Sequence, residues 1–415
     1  MKHRVLSLIA LVTAALGAGL GVACSGGDEG TGSGETPDPS SGGGGTGGSG
    51  GEGPVAKECT VSDALIPETT DFWERVQIAV GATGEGSVLY STNGTSTGAH
   101  VYGVHYVPLG AGARPQGETA AQKSGSLMHD VFRLDDGSLR LATASSSNPG
   151  VQLHWLSPMG AWQRTETLQT SNSDYMPTVL HHGDVTYLAW IRRSHSPQDE
   201  EASLWIAGYT SQGEAFPPTK LLGDLTEMSV NWVSTPTSAH LVWSGVGGEG
   251  EVLRWASVSP DGALGPTVTA SEHAPGHTVV LQGDELAVGY TTMTEAPPSI
   301  ASRIVLVSFD FATGATRARY TSATDDQRAP ALATRDGKYA LAFISAASSL
   351  GGVHYLQLSR SFEVERQVVV RPTGIGASAI FYNHAVDLAV HGTSTYLAYG
   401  DDNRQIHVAH VDCSD

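Results

Sequence analysis

The chain has 415 residues, with 23 basic against 42 acidic side chains, a formal net charge of −19, and five lysines among the basic residues. Phosphate recognition needs a basic stripe, so this composition excludes nucleic acid as a partner and reads as a solubilising surface. Long helical patterns are missing, and short runs rich in Thr, Val and Tyr between Gly, Pro and Asp give an all-β reading.

The chain opens on Lys2, His3 and Arg4, followed by an uncharged, mostly apolar stretch over residues 5–23 that ends in small residues before Cys24. A basic start, an apolar core and a small-residue exit mark residues 1–23 as a secretory signal. The stretch is nearly long enough to span a bilayer, so an uncleaved anchor is the other reading. The segment Leu20-Gly21-Val22-Ala23-Cys24-Ser25 resembles the lipobox of bacterial lipoproteins, departing from it at Gly21, where that family usually has Leu. The resemblance implies cleavage before Cys24 and a lipid on its sulfur. Membrane lipid is then a partner through Cys24. The expected location is the cell envelope, at a membrane surface outside the cytoplasm, the outer membrane first. An ordinary cut after Ala23 would instead leave Cys24 as a lone thiol.

Residues 25–54 hold fourteen Gly, five Ser and five acidic residues, with no Lys, Arg or aromatic. Such a segment buries too little apolar area to offset its ordering entropy. Residues 24–54 therefore read as a lipidated cysteine and a flexible tether. Gly47-Gly48-Ser49-Gly50-Gly51 matches the G-x-S-x-G nucleophile pattern, but that pattern needs a strand, a turn and a helix around it, which polyglycine does not supply.

From residue 55 to 415 one unit recurs: a Gly-containing turn, a strand ending near an aromatic, a variable loop and a further strand. The clearest copies are GDVTYLAW (183–190), GDELAVGY (283–290), DGKYALAF (336–343) and GTSTYLAY (392–399). The last position of each copy is a ruler: Tyr90, Thr143, Trp190, Trp243, Tyr290, Phe343 and Tyr399, at intervals of 47 to 56 residues. The turn holds Gly in every copy but the fourth, which uses Pro236-Thr237. Gly there supplies the positive φ of tight hairpins. Seven units of about 50 residues, each with four antiparallel strands, predict a seven-bladed β-propeller.

The seventh copy stops after its third strand at Asp412, while the strand-like residues around Lys57–Val61 are otherwise spare. An N-terminal strand that completes the last blade would close the ring and bring Cys59 beside Cys413. In an oxidising compartment those two cysteines read as a disulfide. The repeat spacing over 57–413 resembles the bacterial propellers that include sialidase-like and WD40-like proteins. Ser259-Pro260-Asp261-Gly262 is at most a fragment of an Asp-box and the WD dipeptide is absent, so the resemblance implies a fold and no family function.

In propellers the first strand of each blade lines the central channel. Fifteen residues before each marker stand Arg75, Met128, Tyr175, Met228, Pro275, Arg328 and His384, with His129 and His277 nearby. Arg75, Tyr175, Arg328 and His384 are the candidate ligand-binding residues, because guanidinium forks suit carboxylate, sulfate or phosphate oxygens. Ordinary polar residues filling a wet channel are the plainer reading. Two functions from different classes are open, beside a structural role in the envelope with no small ligand. A monomeric envelope-bound binding module would take an anionic glycan, a peptide or an envelope protein at the channel mouth. A glycoside hydrolase or lyase would need an acid and a base, for which Glu74, Asp130, Asp174 and Glu227 are the nearby carboxylates. No cofactor motif and no metal-ligand spacing is present; His407 and His410, and likewise His100 and His105, have odd offsets that point them to opposite faces of a strand. The acidic runs Asp199-Glu200-Glu201, Asp325-Asp326 and Asp401-Asp402 lack the spacing of a calcium loop.

Overall fold

The structure, a computed structural model, describes residues 59–413 apart from 67–71, 82–84, 95–100, 117–120, 125–127, 145–149, 169–173, 194–201, 248–249, 273, 275, 297–298, 324–325, 346–350, 372–384 and 402. Cys24 and His384 thus lie outside the described residues.

Seven antiparallel sheets form a β-propeller, and among the described residues there is no α-helix. The inner strands of blades 1 to 3 are Phe72–Val80, Met128–Arg133 and Asp174–His182. Those of blades 5 to 7 are Thr278–Gln282, Gln327–Arg335 and Val386–His391. Blades 3 and 4 share one 22-residue strand, Gly213–Ser234, whose first part is the outer strand of blade 3 and whose last part is the inner strand of blade 4.

The repeat ruler marks a cross-strand packing position. Tyr90 pairs with His105, Trp190 with Trp205, Phe343 with His354 and Tyr399 with His407 on the neighbouring third strands. Each pair is stacked, with centroids 4.9, 6.3, 5.1 and 5.2 Å apart. Cross-strand side-chain pairs are the unit of sheet stabilisation, and these stacks account for the aromatic at four of the seven markers. The turns before it behave as the sequence predicts: Gly137, Gly183, Gly283, Gly337 and Gly392 all have positive φ. In the fourth copy Thr235 replaces glycine's role, its Oγ1 accepting the amides of Thr237 and Ser238 at 3.3 and 3.0 Å. This is a side-chain turn that needs no left-handed residue.

Apolar clusters lie between blades. One joins Leu89 and Tyr106 of blade 1 to Leu139 and Leu141 of blade 2; another joins Val242 and Trp255 of blade 4 to Leu286 and Phe309 of blade 5. Each blade thus buries both faces against neighbours, and an open ring would leave two faces bare. Closure is the one read from the sequence. Thr60–Leu65 is the outer strand of blade 7, running antiparallel to Ile406–Asp412 with Thr60 opposite Asp412 and Leu65 opposite His407. Cys59 and Cys413 are disulfide-bonded across 354 residues of chain.

Candidate axial site

Because each blade is an antiparallel meander, the 2→3 connections and the links between blades leave from the end at which the inner strands begin. The 1→2 hairpins are short and lie at the other end. The strands that flank 194–201 and 372–384 therefore have their ends at this upper face. Connecting segments held on a rigid scaffold are where binding residues concentrate.

Below that face a single layer of the channel is built from one residue per blade. Gln77, Asp130, Thr178, Asn231, Thr278, Ala331 and Asp387 pair with Leu89, Ala142, Ala189, Val242, Gly289, Ala342 and Ala398. Every partner is the residue just before a marker, so the seven are equivalent by register. All of them but Thr178 line a cavity of about 140 Å³, together with Arg75, Gly276, His277 and Pro330. A smaller recess of about 30 Å³, sharing Arg75, Asn231 and His277, continues it past Met176 and Thr178.

Asp130 is the hub of this layer. Its Oδ1 accepts Arg75 Nη2 at 3.1 Å and Gln77 Nε2 at 2.6 Å; its Oδ2 accepts Thr178 Oγ1 at 2.9 Å and the Val179 amide at 2.8 Å. One carboxylate on blade 2 thereby ties blades 1 and 3, and all four of its acceptor sites are used. The same device recurs between other blades: Asp387 Oδ2 accepts the Ile78 amide at 2.9 Å, and Asn231 Nδ2 donates to the His277 carbonyl at 2.7 Å. Burial pushes the Asp387 carboxyl up to about 6, and the Asp130 charge adds to this, while amide hydrogen bonds from Ile78 and Leu388 and the charge of Arg75 oppose it.

A buried acid with a raised pKa weakens the fold as it ionises. Asp387 is protonated in both folded and unfolded chains below about pH 4. As pH rises from about 4 to 6 the unfolded chain releases its proton first, so stability falls, and above about pH 6 the loss is complete, at up to about 3 kcal/mol. Asp387→Asn is therefore expected to raise Tm at pH 7.5 in metal-free buffer and to leave it unchanged at pH 3.5, with the gain appearing between those values in a pH series of thermal melts. A variant less stable than wild type at pH 7.5 would show that the amide cannot hold the Ile78 contact. A carboxylate kept at such a cost on a channel wall has the profile of a functional group.

The residues fifteen before the markers lie above this layer, and the structure does not gather them into one ring. Arg75 lines the cavity, and its Nε is buried without a hydrogen-bond partner. Tyr175 packs half-buried against the apolar cluster of blades 3 and 4. Arg328 Nε donates to Ser302 Oγ of blade 5 at 2.7 Å. Met228 is described only as backbone and Pro275 not at all. Bulges re-aim these side chains. Pairing slips between Phe72 and Val76, Tyr175 and Thr178, Thr226 and Ser229, and Arg328 and Ala331. A bulge turns the residues beyond it out of the alternation a simple count assumes. Two of the bulges hold non-glycine residues before proline at positive φ, Met176 at 50° and Ala329 at 53°, and Gly276 takes the equivalent place in blade 5 at 59°. Backbone strain of this kind collects at functional rims.

The layer itself was missed, although a signal for it existed. It lies 13 residues before the marker in blades 1 and 2 (90 − 77, 143 − 130) and 12 before it in the other five, as in 243 − 231. Its Gln, Asp, Thr and Asn interrupt otherwise apolar strands. Of the four nearby carboxylates, Asp130 alone is seen on the channel. Asp174 is buried and paired with Arg192 at 2.7 Å, and the side chains of Glu74 and Glu227 are not described. His129 and His277 are buried one residue before the layer; His277 Nδ1 lies 2.5 Å from Ser229 Oγ and 2.7 Å from the Ala274 carbonyl, linking blades 4 and 5. His407 stacks on Tyr399 and His410 on Tyr396. Among the described residues no three His, Cys, Asp or Glu side chains gather as a metal group.

A wider recess of about 590 Å³ lies between blades 2 and 3. Its two guanidiniums are engaged within the protein. Arg164 pairs with Glu166 at 2.8 Å and stacks on Trp155, and Arg192 pairs with Asp174 and stacks on Trp205.

No family model matches the chain, and no curated protein matches it. Among solved structures it is similar to an α-L-arabinofuranosidase from Fusarium graminearum in complex with an iminosugar inhibitor, at 10% identity and TM-score 0.48 over 69% of this chain and 92% of that one. It is similar to hydrazine synthase from Kuenenia stuttgartiensis at 13% identity and TM-score 0.47, over 83% and 98% of the two chains. It is also similar to a prolyl endopeptidase at 12% identity and TM-score 0.44, over 83% of this chain and 51% of that one. Fold likeness at this level transfers no site and no reaction.

Proposed function

We propose that the chain is a tethered binding module of the cell envelope. Cys24 carries the lipid, residues 25–54 hold the propeller off the membrane, and the ligand enters the channel from the upper face. The ligand class is an anionic glycan or peptide whose acidic group meets Arg75. The observation that supports this reading is the state of that guanidinium. It is fixed by Asp130 at 3.1 Å, and its side chain stays 16% exposed and lines the cavity. An oriented guanidinium with spare donors suits a carboxylate or sulfate oxygen.

One experiment reads both parts. The full chain is expected in the membrane fraction, and Cys24→Ser in the soluble fraction. Calorimetry with oligogalacturonate, sulfated oligosaccharides and acidic peptides is expected to find a binder. Its affinity should fall about 10- to 100-fold in Arg75→Gln, the size of a charged hydrogen bond, and stay within about threefold in Arg328→Ala, whose guanidinium is turned to blade 5. Absence of any binder among the three classes, or equal losses in both variants, counts against the reading.

A second reading, a polysaccharide hydrolase or lyase, is favoured by one observation. Asp387, held up to about 6, shares its cavity with Asp130, and an acid beside a second carboxylate is the glycosidase arrangement. Against it, Asp130 already accepts four donors, and the cavity of about 140 Å³ is below the roughly 300–1,000 Å³ of ligand pockets. Turnover of a bound oligosaccharide that Asp387→Asn abolishes without loss of binding would reverse the preference.

A further inference from the structure

We infer that the axial cavity is a weak site for a hydrated divalent cation of the calcium type, held by Asp387 with the side-chain oxygens of Asn231, Thr278 and Gln77. This stands apart from the ligand reading, because it concerns the layer below Arg75 and can be tested with no ligand present.

Charge and donor chemistry around the cavity support it. Two carboxylates and one guanidinium face the space. The guanidinium is engaged with Asp130, and Asp130 has its four acceptor sites filled. Asp387 receives backbone amides, and among the described residues it forms no ion pair. One negative charge is therefore left without a contacting cation.

The neutral groups are also oxygen-rich. The Gln77 amide is fixed in orientation by its Nε2 bond to Asp130, so the buried atom left without a partner is the carbonyl Oε1. The Asn231 amide is fixed likewise by Nδ2 donating to His277, which leaves its oxygen as the free end. Thr278 adds a hydroxyl on the same layer. A space of about 140 Å³ is well above the roughly 10–15 Å³ that a single water needs, room for a cation and part of its shell. Hard cations take carboxylate, amide, hydroxyl and water oxygens, and calcium tolerates irregular cages of six to eight of them. Among the described residues that line the cavity, His277 is the sole imidazole, with its Nδ1 against Ser229 and Ala274, and there is no thiol, so this lining does not suit zinc.

The test is a thermal melt of the full chain after chelation, with calcium chloride added to about 10 mM, above the roughly 0.1–1 mM dissociation constants of weak oxygen sites. Sodium chloride at matched ionic strength is the control. Wild type is expected to gain about 2–4 °C, saturably, with calcium alone. Asp387→Asn, expected to fold at least as well as wild type in chelator, should lose that gain, and Thr278→Val should reduce it. No calcium-specific shift in wild type, or an equal shift in Asp387→Asn, overturns the assignment. Ligand calorimetry does not enter this result, so its failure and that of the binding reading are separable.

Discussion

Replacing Cys59 and Cys413 together by serine is expected to lower Tm by about 5–10 °C, and a reducing agent should move wild type to the same place while leaving the variant untouched. The two cysteines join across 354 residues, with Cα atoms 4.3 Å apart. For so long a loop the chain-entropy model gives about 5–6 kcal/mol as an upper estimate, and measured losses are commonly about 2–5 kcal/mol, which sets the size of the shift. The bond also acts where the fold is least supported by sequence continuity. The outer strand of blade 7 is held to its neighbour by pairing between Thr60–Leu65 and Ile406–Asp412, segments far apart in the chain. Hydrogen exchange in the serine variant should therefore rise first in those two segments. A variant that melts with wild type would mean that strand pairing and blade packing alone seal the ring.

The second large effect is expected from Asp130→Ala. The substitution removes the acceptor of Arg75, Gln77, Thr178 and the Val179 amide at once. A buried donor left unsatisfied costs about 1–3 kcal/mol, and a charge stripped of its partner about 3–5 kcal/mol. The expected loss is about 3–5 kcal/mol, since water in the adjoining cavity can reach some of these donors. Asp130→Asn is expected to lose nearly as much, because its NH2 would meet donors instead of acceptors. A double-mutant cycle of Asp130→Ala with Thr178→Val should show coupling above about 1 kcal/mol, the mark of a shared contact. Additive effects would mean that the layer is a set of independent polar residues.

How much of this was legible in the sequence follows from the physics of each feature. The blades were legible because turn glycines and stacked marker aromatics are local and recur at nearly constant spacing. Ring closure was legible because Cys59 and Cys413 sit at the ends of the repeat array and a strand was missing from the last copy. The channel layer was not. Four inner strands begin with a bulge, and an inserted residue leaves no fixed trace in composition, so a count of fifteen reached Tyr175 and Arg328, which face their own and neighbouring blades. A count anchored on the residue paired with the marker's predecessor would have met Asp130 and Asp387 directly. The four-way role of Asp130 had no local signal, since its donors lie 48 to 55 residues away on two other blades.

The pairing of Thr60–Leu65 with Ile406–Asp412 also sets a schedule. A chain that emerges N-terminus first delivers residue 60 long before its partner exists, so this strand edge stays open through the whole of synthesis. Blades 1 to 6 can collapse on one another as they appear, but the arc keeps two bare ends until Ile406–Asp412 arrives. Loss of residues from Ile406–Asp412 should therefore do more harm than their number suggests, by leaving an unfinished arc with sticky ends. Closure of the ring is in that sense timed by the arrival of Ile406–Asp412.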